Sequence, residues 1–353
     1  MKKIFEEINL RNLKIANRII RSATMEFGTT ENGLITNKYN KLYEDLAKGG
    51  SGLIITGAMA INPDSQVKKD MVNVYDQNFI EAFSKTVQTV HKYNSKIIPQ
   101  LAHGGLISMA SSSAIRLGPS KIIGGKEMSK DDITNVIDDF CKAALKCKQA
   151  GADGIQIHAA HGFLISQFLS PVFNKRKDEY GGSIFNRSRI LLEIIDSIKS
   201  NLGNDFPILI KLNYSDLIEN GFSLEDSKWL CNSLDTKGIS AIEISSGLIS
   251  DKNYSPAQPI PNQKSESYNE KAASEISQSI NTPVICVGGN RTFTSIETNL
   301  NNTCISAFSL CRPLICEPDL PQKWMIDHSY RPKCISCNSC FMSPILKCAL
   351  FKS

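Results

Sequence analysis

No run of about 18 apolar residues occurs in this 353-residue chain, so no membrane-spanning helix is expected. The first 21 residues are broken by Lys2, Lys3, Glu6, Glu7, Arg11 and Lys14 and lack the continuous apolar stretch of a secretory signal. A Gly-x-Gly-x-x-Gly fingerprint is missing, which removes the usual mark of a Rossmann dinucleotide unit. There is no dense basic block either. The 40 Lys and Arg are scattered and nearly balanced by 35 Asp and Glu, so the net charge of +5 predicts a solvated surface and no nucleic-acid partner. A phosphate-bearing ligand suits that sign equally well. The eleven cysteines are an odd number, most of them inside apolar or helical segments. Without a secretory signal they predict a reducing cytoplasm rather than a disulfide framework.

What the chain does contain is alternation. Short apolar, β-branched runs at 17–23, 52–56, 96–101, 154–158, 208–212, 241–245, 283–287 and 304–309 predict eight strands, several of them apolar on both faces. Amphipathic stretches at 37–47, 78–93, 131–149, 187–201, 224–236, 269–279 and 295–302 predict the intervening helices, and 318–326 is placed to close the ring. Eightfold strand–helix alternation is the pattern of an α/β fold, a (β/α)8 TIM barrel; a doubly wound open sheet would alternate too. The long loops 103–130, 159–186 and 246–268 favour the barrel, where such loops gather at the C-terminal rim and form the site. A hydrophobic content of 41% supplies core enough for one barrel over residues 1–330. Residues 331–353 form a short Cys-rich extension. The Ser-, Pro-, Asn- and Gln-rich stretch 250–267 predicts a mobile loop.

Five features carry chemistry. Val287-Gly288-Gly289-Asn290 follows a predicted strand and precedes a helix, where glycines let backbone N–H groups approach a phosphate. Leu310-Cys311-Arg312-Pro313 follows the next strand, and Arg312 offers a fixed cation. Barrels often bind phosphate at the loops after strands seven and eight, although two ordinary tight turns would read the same. His158 and His161, two of only five histidines, sit three apart at the end of the fourth strand. They suit an oxyanion or, less well, a metal, and a packing or capping role is the alternative. Gln100 ends the third strand, where an amide could read a ring with donor and acceptor edges. Lys211 interrupts an apolar strand, so it needs an anionic partner inside or must snorkel outward.

Further residues turn these features into a resemblance. Phe168-Leu169-Ser170-Pro171, Asn174, Arg176, Asp178-Glu179-Tyr180-Gly181-Gly182-Ser183 and Asn186-Arg187 resemble the old yellow enzyme family of FMN-dependent oxidoreductases. So do residues 13–20 with Arg21-Ser22-Ala23-Thr24, and 52–58, 100–104 and 157–162. The resemblance runs from about residue 3 to about residue 325 and is most specific over 155–189. It is strongest to the bacterial branch of single-domain ene-reductases, with the N-terminal domains of 2-enoate and 2,4-dienoyl-CoA reductases more distant. It implies FMN as cofactor, NADH or NADPH as hydride donor, and a small electron-poor acceptor such as an enone, nitro compound or quinone. Ser22, Ala23, Thr24, Met25 and Ala58 would line the flavin, and Gln100 would bond its pyrimidine edge. Lys211 would lie where negative charge builds up on reduction. Gly288, Gly289, Cys311 and Arg312 would hold the phosphate, and His158 and His161 would grip the acceptor. The missing dinucleotide fingerprint fits a nicotinamide that docks over the flavin.

Two positions depart from the family. Phe163 stands where a Tyr usually donates the proton, and a phenyl ring cannot donate one. Met25 replaces a Thr or Cys near the flavin. The tail, Cys334-x2-Cys337-x2-Cys340-x7-Cys348, has spacing suited to an iron–sulfur cluster or zinc, with unmetallated cysteines the alternative. The larger relatives carry a [4Fe–4S] cluster just after the barrel on a similar spacing, fed by a further flavin domain. Three readings therefore stay open: an NAD(P)H-driven enzyme, an enzyme fed by another redox protein through the tail, and a flavin- or metal-binding subunit of a redox complex without turnover of its own. A homo-oligomer is also left open.

Overall fold

The computed structural model describes residues 1–25, 28–109, 116–121, 125–249, 255–342 and 347–351. Eight strands close a parallel barrel: β1 Ile19–Arg21, β2 Leu53–Ala60, β3 Lys96–Ala102, β4 Ile155–Ala159, β5 Ile208–Asn213, β6 Ala241–Ser245, β7 Val284–Val287 and β8 Ala307–Leu310. The helices α1 Asn37–Lys48, α2 Phe79–His91, α3 Lys130–Gln149, α4 Arg189–Leu202, α5 Leu224–Thr236, α6 Glu270–Ser277, α7 Phe293–Asn302 and α8 Leu320–Ile326 follow the strands in turn. This is the TIM barrel the alternation predicts. No helix among the described residues is long and apolar enough to cross a membrane.

The two-residue period of a strand divides its side chains between two cores. Ile19, Ile54, Ile97, Ile155, Ile210, Ile242 and Phe308 face outward and join the large core under the helices. Ile20, Leu53, Ile55, Ile98, Leu209, Ala241, Ile285 and Ala307 face inward and form an apolar plug with Leu10, Leu13 and Ile15. Those last three belong to an N-terminal hairpin, Ile8–Leu10 paired antiparallel with Leu13–Ile15, that caps the lower end and that the periodicity did not predict.

One pleat above this plug the inward positions change character. Ile20 gives way to Ser22, Ile98 to Gln100, Leu209 to Lys211, Ala241 to Glu243 and Ala307 to Ser309. The barrel is thus dry at the bottom and polar toward its C-terminal mouth.

Helix starts follow local chemistry. Thr36 and Ser223 accept the N–H of Tyr39 and Asp226 to cap α1 and α5, and Ser129 with Asp132 forms a capping box on α3. The predicted helix 187–201 is split, because the short helix Ile184–Arg187 ends at Ser188 before α4 begins. β2 runs four residues past the predicted end at 56, with a register shift between Ile55 and Ala58. A helix at Leu164–Leu169 within the loop 159–186 was not expected. Residues 250–254 of the predicted mobile loop lie outside the described residues. The tail lies outside the ring but packs on it, with Cys340 against Ile315 and Cys311.

Candidate active site

The polar layer forms one connected network. Lys211 Nζ lies 3.2 Å from Glu243 Oε2 and donates to Ser22 Oγ at 2.8 Å. Ser22 Oγ in turn donates to Glu243 Oε1 at 2.8 Å. Gln156 Nε2 donates to Glu243 Oε2 at 2.9 Å, and Gln100 Nε2 donates to Gln156 Oε1 at 2.7 Å. Lys211 therefore has the anionic partner that burial demands and does not snorkel. Burial pushes the Glu243 carboxyl up, but Lys211, Gln156 and Ser22 together outweigh it and hold the group below its ordinary value.

Above this layer a cavity of about 200 Å³ opens at the C-terminal mouth. It brings together ten predicted residues: Ser22, Ala23, Thr24, Met25, His161, Lys211, Gly288, Gly289, Cys311 and Arg312. Gly288 and Gly289 have φ of 128° and 77°, values that a side chain resists. A Cβ on Gly288 would meet the Tyr268 ring at 2.7 Å, and one on Gly289 would meet it at 2.8 Å. The missing side chains let the Tyr268 ring pack on this backbone, and the two glycines still line the cavity together with Arg312, the residue types a phosphate site uses. Thr24 Oγ1 donates to the Cys311 sulfur at 3.1 Å and closes the same corner. These residues fit the phosphate and pyrimidine ends of a flavin mononucleotide.

Arg312 is also committed elsewhere. Its Nη1 donates to Gln258 O at 2.9 Å, Ser336 O at 3.2 Å and Asn338 Oδ1 at 2.8 Å, which ties the tail to the loop after β6.

Three predicted residues do not line the cavity. Gln100 lies below it in the network. Ala58, paired in register with Gln100, packs against the cluster of Ala60, Met71, Ala102 and Phe163. His158 lies beside His161, ring centroids 5.3 Å apart and planes at 90°. His158 Nδ1 accepts the Ala160 N–H at 3.3 Å, so the network assigns the proton to Nε2. His161 Nε2 contacts Ser245 Oγ at 2.7 Å, and its φ of 62° is the kind of strain that gathers at functional sites. Burial first, then Lys211, holds His158 far below its ordinary range; burial, His158 and Lys211 do the same for His161. Both rings are neutral near pH 7.

Cys334, Cys337, Cys340 and Cys348 line a second small cavity of about 20 Å³, together with Cys316. Burial pushes the Cys340 thiol up to about 11, with Cys311 and Cys334 adding to the rise, and pushes Cys316 up to about 12, helped by Cys348. Among the described residues no three His, Cys, Asp or Glu side chains are arranged to hold a metal ion. A larger cleft of about 780 Å³, between α1 and the chain around Glu317, contains none of the predicted site residues.

Sequence reading missed Gln156, Glu243, Ser245 and Tyr268. Glu243 carried the same signal as Lys211, a charge inside an apolar strand, and the two face each other in register across β5 and β6. Tyr268 had no such signal, because its role comes from the loop after β6 folding over the glycines.

A barrel with a glycine cradle, an inward cation and paired imidazoles at its mouth defines an oxidoreductase of the flavin-barrel class. The family model for "NADH:flavin oxidoreductase / NADH oxidase" matches residues 3–328, and the chain belongs to that family, the old yellow enzymes. It is 31% identical over 349 residues to an NADH oxidase of Thermoanaerobacter brockii, covering 95% of this chain and 52% of the relative. It is 35% identical over 255 residues to an NADPH dehydrogenase of Bacillus subtilis (strain 168), covering 70% and 74%. The solved old yellow enzyme homologue from Zymomonas mobilis superposes with a TM-score of 0.79 at 23% identity, covering 95% of each chain, and supports the fold. The chain spans about half the length of the first of these relatives. The family implies FMN and NAD(P)H.

Proposed function

We propose that this chain is an FMN-dependent oxidoreductase that takes hydride from NADH or NADPH and passes it to a small electron-poor acceptor. The observation that carries this reading is one cavity in which the Gly288–Gly289 cradle, Arg312, Lys211 and His161 meet. Bound FMN would supply the hydride carrier between the nicotinamide and the acceptor. Gly288, Gly289 and Arg312 would hold its phosphate, and Lys211 with Gln100 its pyrimidine edge. The neutral His161 would offer a hydrogen bond to an acceptor oxygen from the cavity wall without adding charge, with the His158 ring packed edge-on beside it. Phe163 supplies no proton. Acceptors that need none from the protein at carbon, such as nitro compounds and quinones, therefore suit the site better than enones.

A second reading has its own support. Arg312 and Ser336 line both the flavin cavity and the thiol cavity, so the tail adjoins the site where a redox partner could deliver electrons. A visible spectrum of the purified protein under argon, before and after NADH and then NADPH, separates the readings. A yellow protein bleached by either nucleotide supports the first. A yellow protein bleached only by a reduced ferredoxin-like donor supports the second. A colourless protein that takes up no FMN ends both.

A further inference from the structure

We propose that Glu243 tunes the flavin site: it cancels the charge of Lys211 beneath the pyrimidine ring and, through Gln156, fixes the edge that Gln100 presents. This rests on the flavin reading above.

From the family resemblance, Lys211 is the charge expected at this end of the ring. The barrel supplies instead a buried ion pair, with Glu243 fully buried and the Lys211 side chain 5% exposed. Both charges come from inward positions of neighbouring strands in direct register, so the pair follows from the pleat and not from a mobile side chain. With water excluded, a charge at this depth is felt strongly. Negative charge that gathers at the pyrimidine end on reduction meets a net-neutral pair and is stabilised less than by Lys211 alone.

The carboxylate has a second effect. It only accepts hydrogen bonds, so Gln156 must turn its amide N–H toward it. The Gln156 oxygen then faces Gln100 and takes the Gln100 amide N–H. The Gln100 oxygen is left as the atom available to the ring, an acceptor suited to a ring N–H. One ionised side chain thereby orders two amides on β3 and β4. Glu243 reaches the ring only through other side chains, so it is a positioning residue.

The test is the midpoint potential of the bound flavin, measured by equilibration with a reference dye, alongside FMN stoichiometry. Glu243→Gln leaves Lys211 unbalanced and should shift the potential positive by at least tenfold in the reduction equilibrium, about 30 mV for two electrons. Glu243→Asp keeps the charge and should stay near the parent value. An unchanged or more negative potential in Glu243→Gln with FMN fully bound would overturn the inference. Should that variant not fold, the double variant Lys211→Gln with Glu243→Gln removes both charges. Its potential should match the parent, whereas a fall of 30 mV or more would mean that Lys211 acts as a lone cation and Glu243 does nothing. A parent protein that takes up no flavin would instead remove the flavin reading, and this inference with it.

Discussion

The ring of Phe163 packs against the imidazole of His158, with centroids 4.2 Å apart and planes inclined by 30°. A buried phenyl thus stands beside the histidine pair, at the position where the family usually has a hydroxyl. General-acid help is typically worth about 10²–10⁴-fold. Phe163→Tyr should therefore raise enone turnover by at least about tenfold while changing quinone turnover little. Steady-state kinetics on one acceptor of each type checks this. No gain on the enone in a variant that binds FMN normally would refute the role assigned to this position.

Arg312 joins the phosphate cradle to the tail through one guanidinium. Arg312→Ala should weaken FMN but leave riboflavin, which has no phosphate, nearly untouched. Hydrogen bonds to charged groups contribute about 1.5–3 kcal/mol, so the loss for FMN should be roughly 10- to 100-fold. Flavin fluorescence titration gives both constants. Equal losses for FMN and riboflavin would show that Arg312 acts on the fold rather than on the phosphate. The same variant should release the tail, read as faster protease cleavage near Ser336 and Asn338.

The barrel was legible because its signals are local. Period-2 apolar runs, caps and loop lengths each act within a few residues, and the predicted strands match the observed ones to within a few positions. The N-terminal hairpin was not legible, since Leu10, Leu13 and Ile15 have meaning only once an open barrel end exists for them to fill. Of the residues that line the candidate cavity, those legible in the sequence are the ones whose types stand out, as at Gly288, Arg312 and His161. Glu243 was missed because a charge in an apolar strand is resolved only by its neighbour across the sheet.

Within the most family-specific stretch, the part beyond the histidines, residues 168–187, is scaffolding. Asn174 Nδ2 donates to Phe168 O at 2.8 Å and Tyr180 O at 2.7 Å. A Cβ on Gly181 would strike Arg176 O at 2.2 Å. These residues build the loop above β4 that carries the site, and none of them lines the cavity.

Neutral histidines make a prediction about pH. His158 and His161 are held far below their ordinary value of about 6.5. Acceptor kcat/KM should then be level between pH 6 and 8. An inflection near 6.5 that vanishes in His158→Gln would contradict this. Stability behaves differently. Below about pH 6.5 the unfolded chain takes up protons on these imidazoles and the folded chain does not, so the unfolded state gains as pH falls. This contribution to stability is whole above 6.5 and declines below it, which thermal melts between pH 8 and 5 would register.

Asp178 holds the guanidinium of Arg176 in a two-point grip, accepting from Nε at 3.0 Å and Nη2 at 2.6 Å. Arg176 also donates to Pro119 O and Met128 O, so it pins the loop after β3 to the loop after β4. The Arg176 side chain is only 4% exposed, and at that depth the loss of its close partner, with only Glu127 remaining at 3.5 Å, is costly. Asp178 is 28% exposed, which screens part of the effect. Asp178→Asn should therefore cost about 2 kcal/mol, below the roughly 3–5 kcal/mol of a fully buried pair. The hydrogen bonds from Arg176 hold the Asp178 carboxyl below its ordinary value even though burial opposes them. A depressed carboxyl stabilises the fold above the unfolded value of about 3.9 and loses that effect as pH falls through the folded value. The gap in Tm between parent and Asp178→Asn should be constant from pH 8 to 5 and narrow below about 4. A gap that does not narrow in acid would show that the stabilisation comes from packing rather than from the ionised pair.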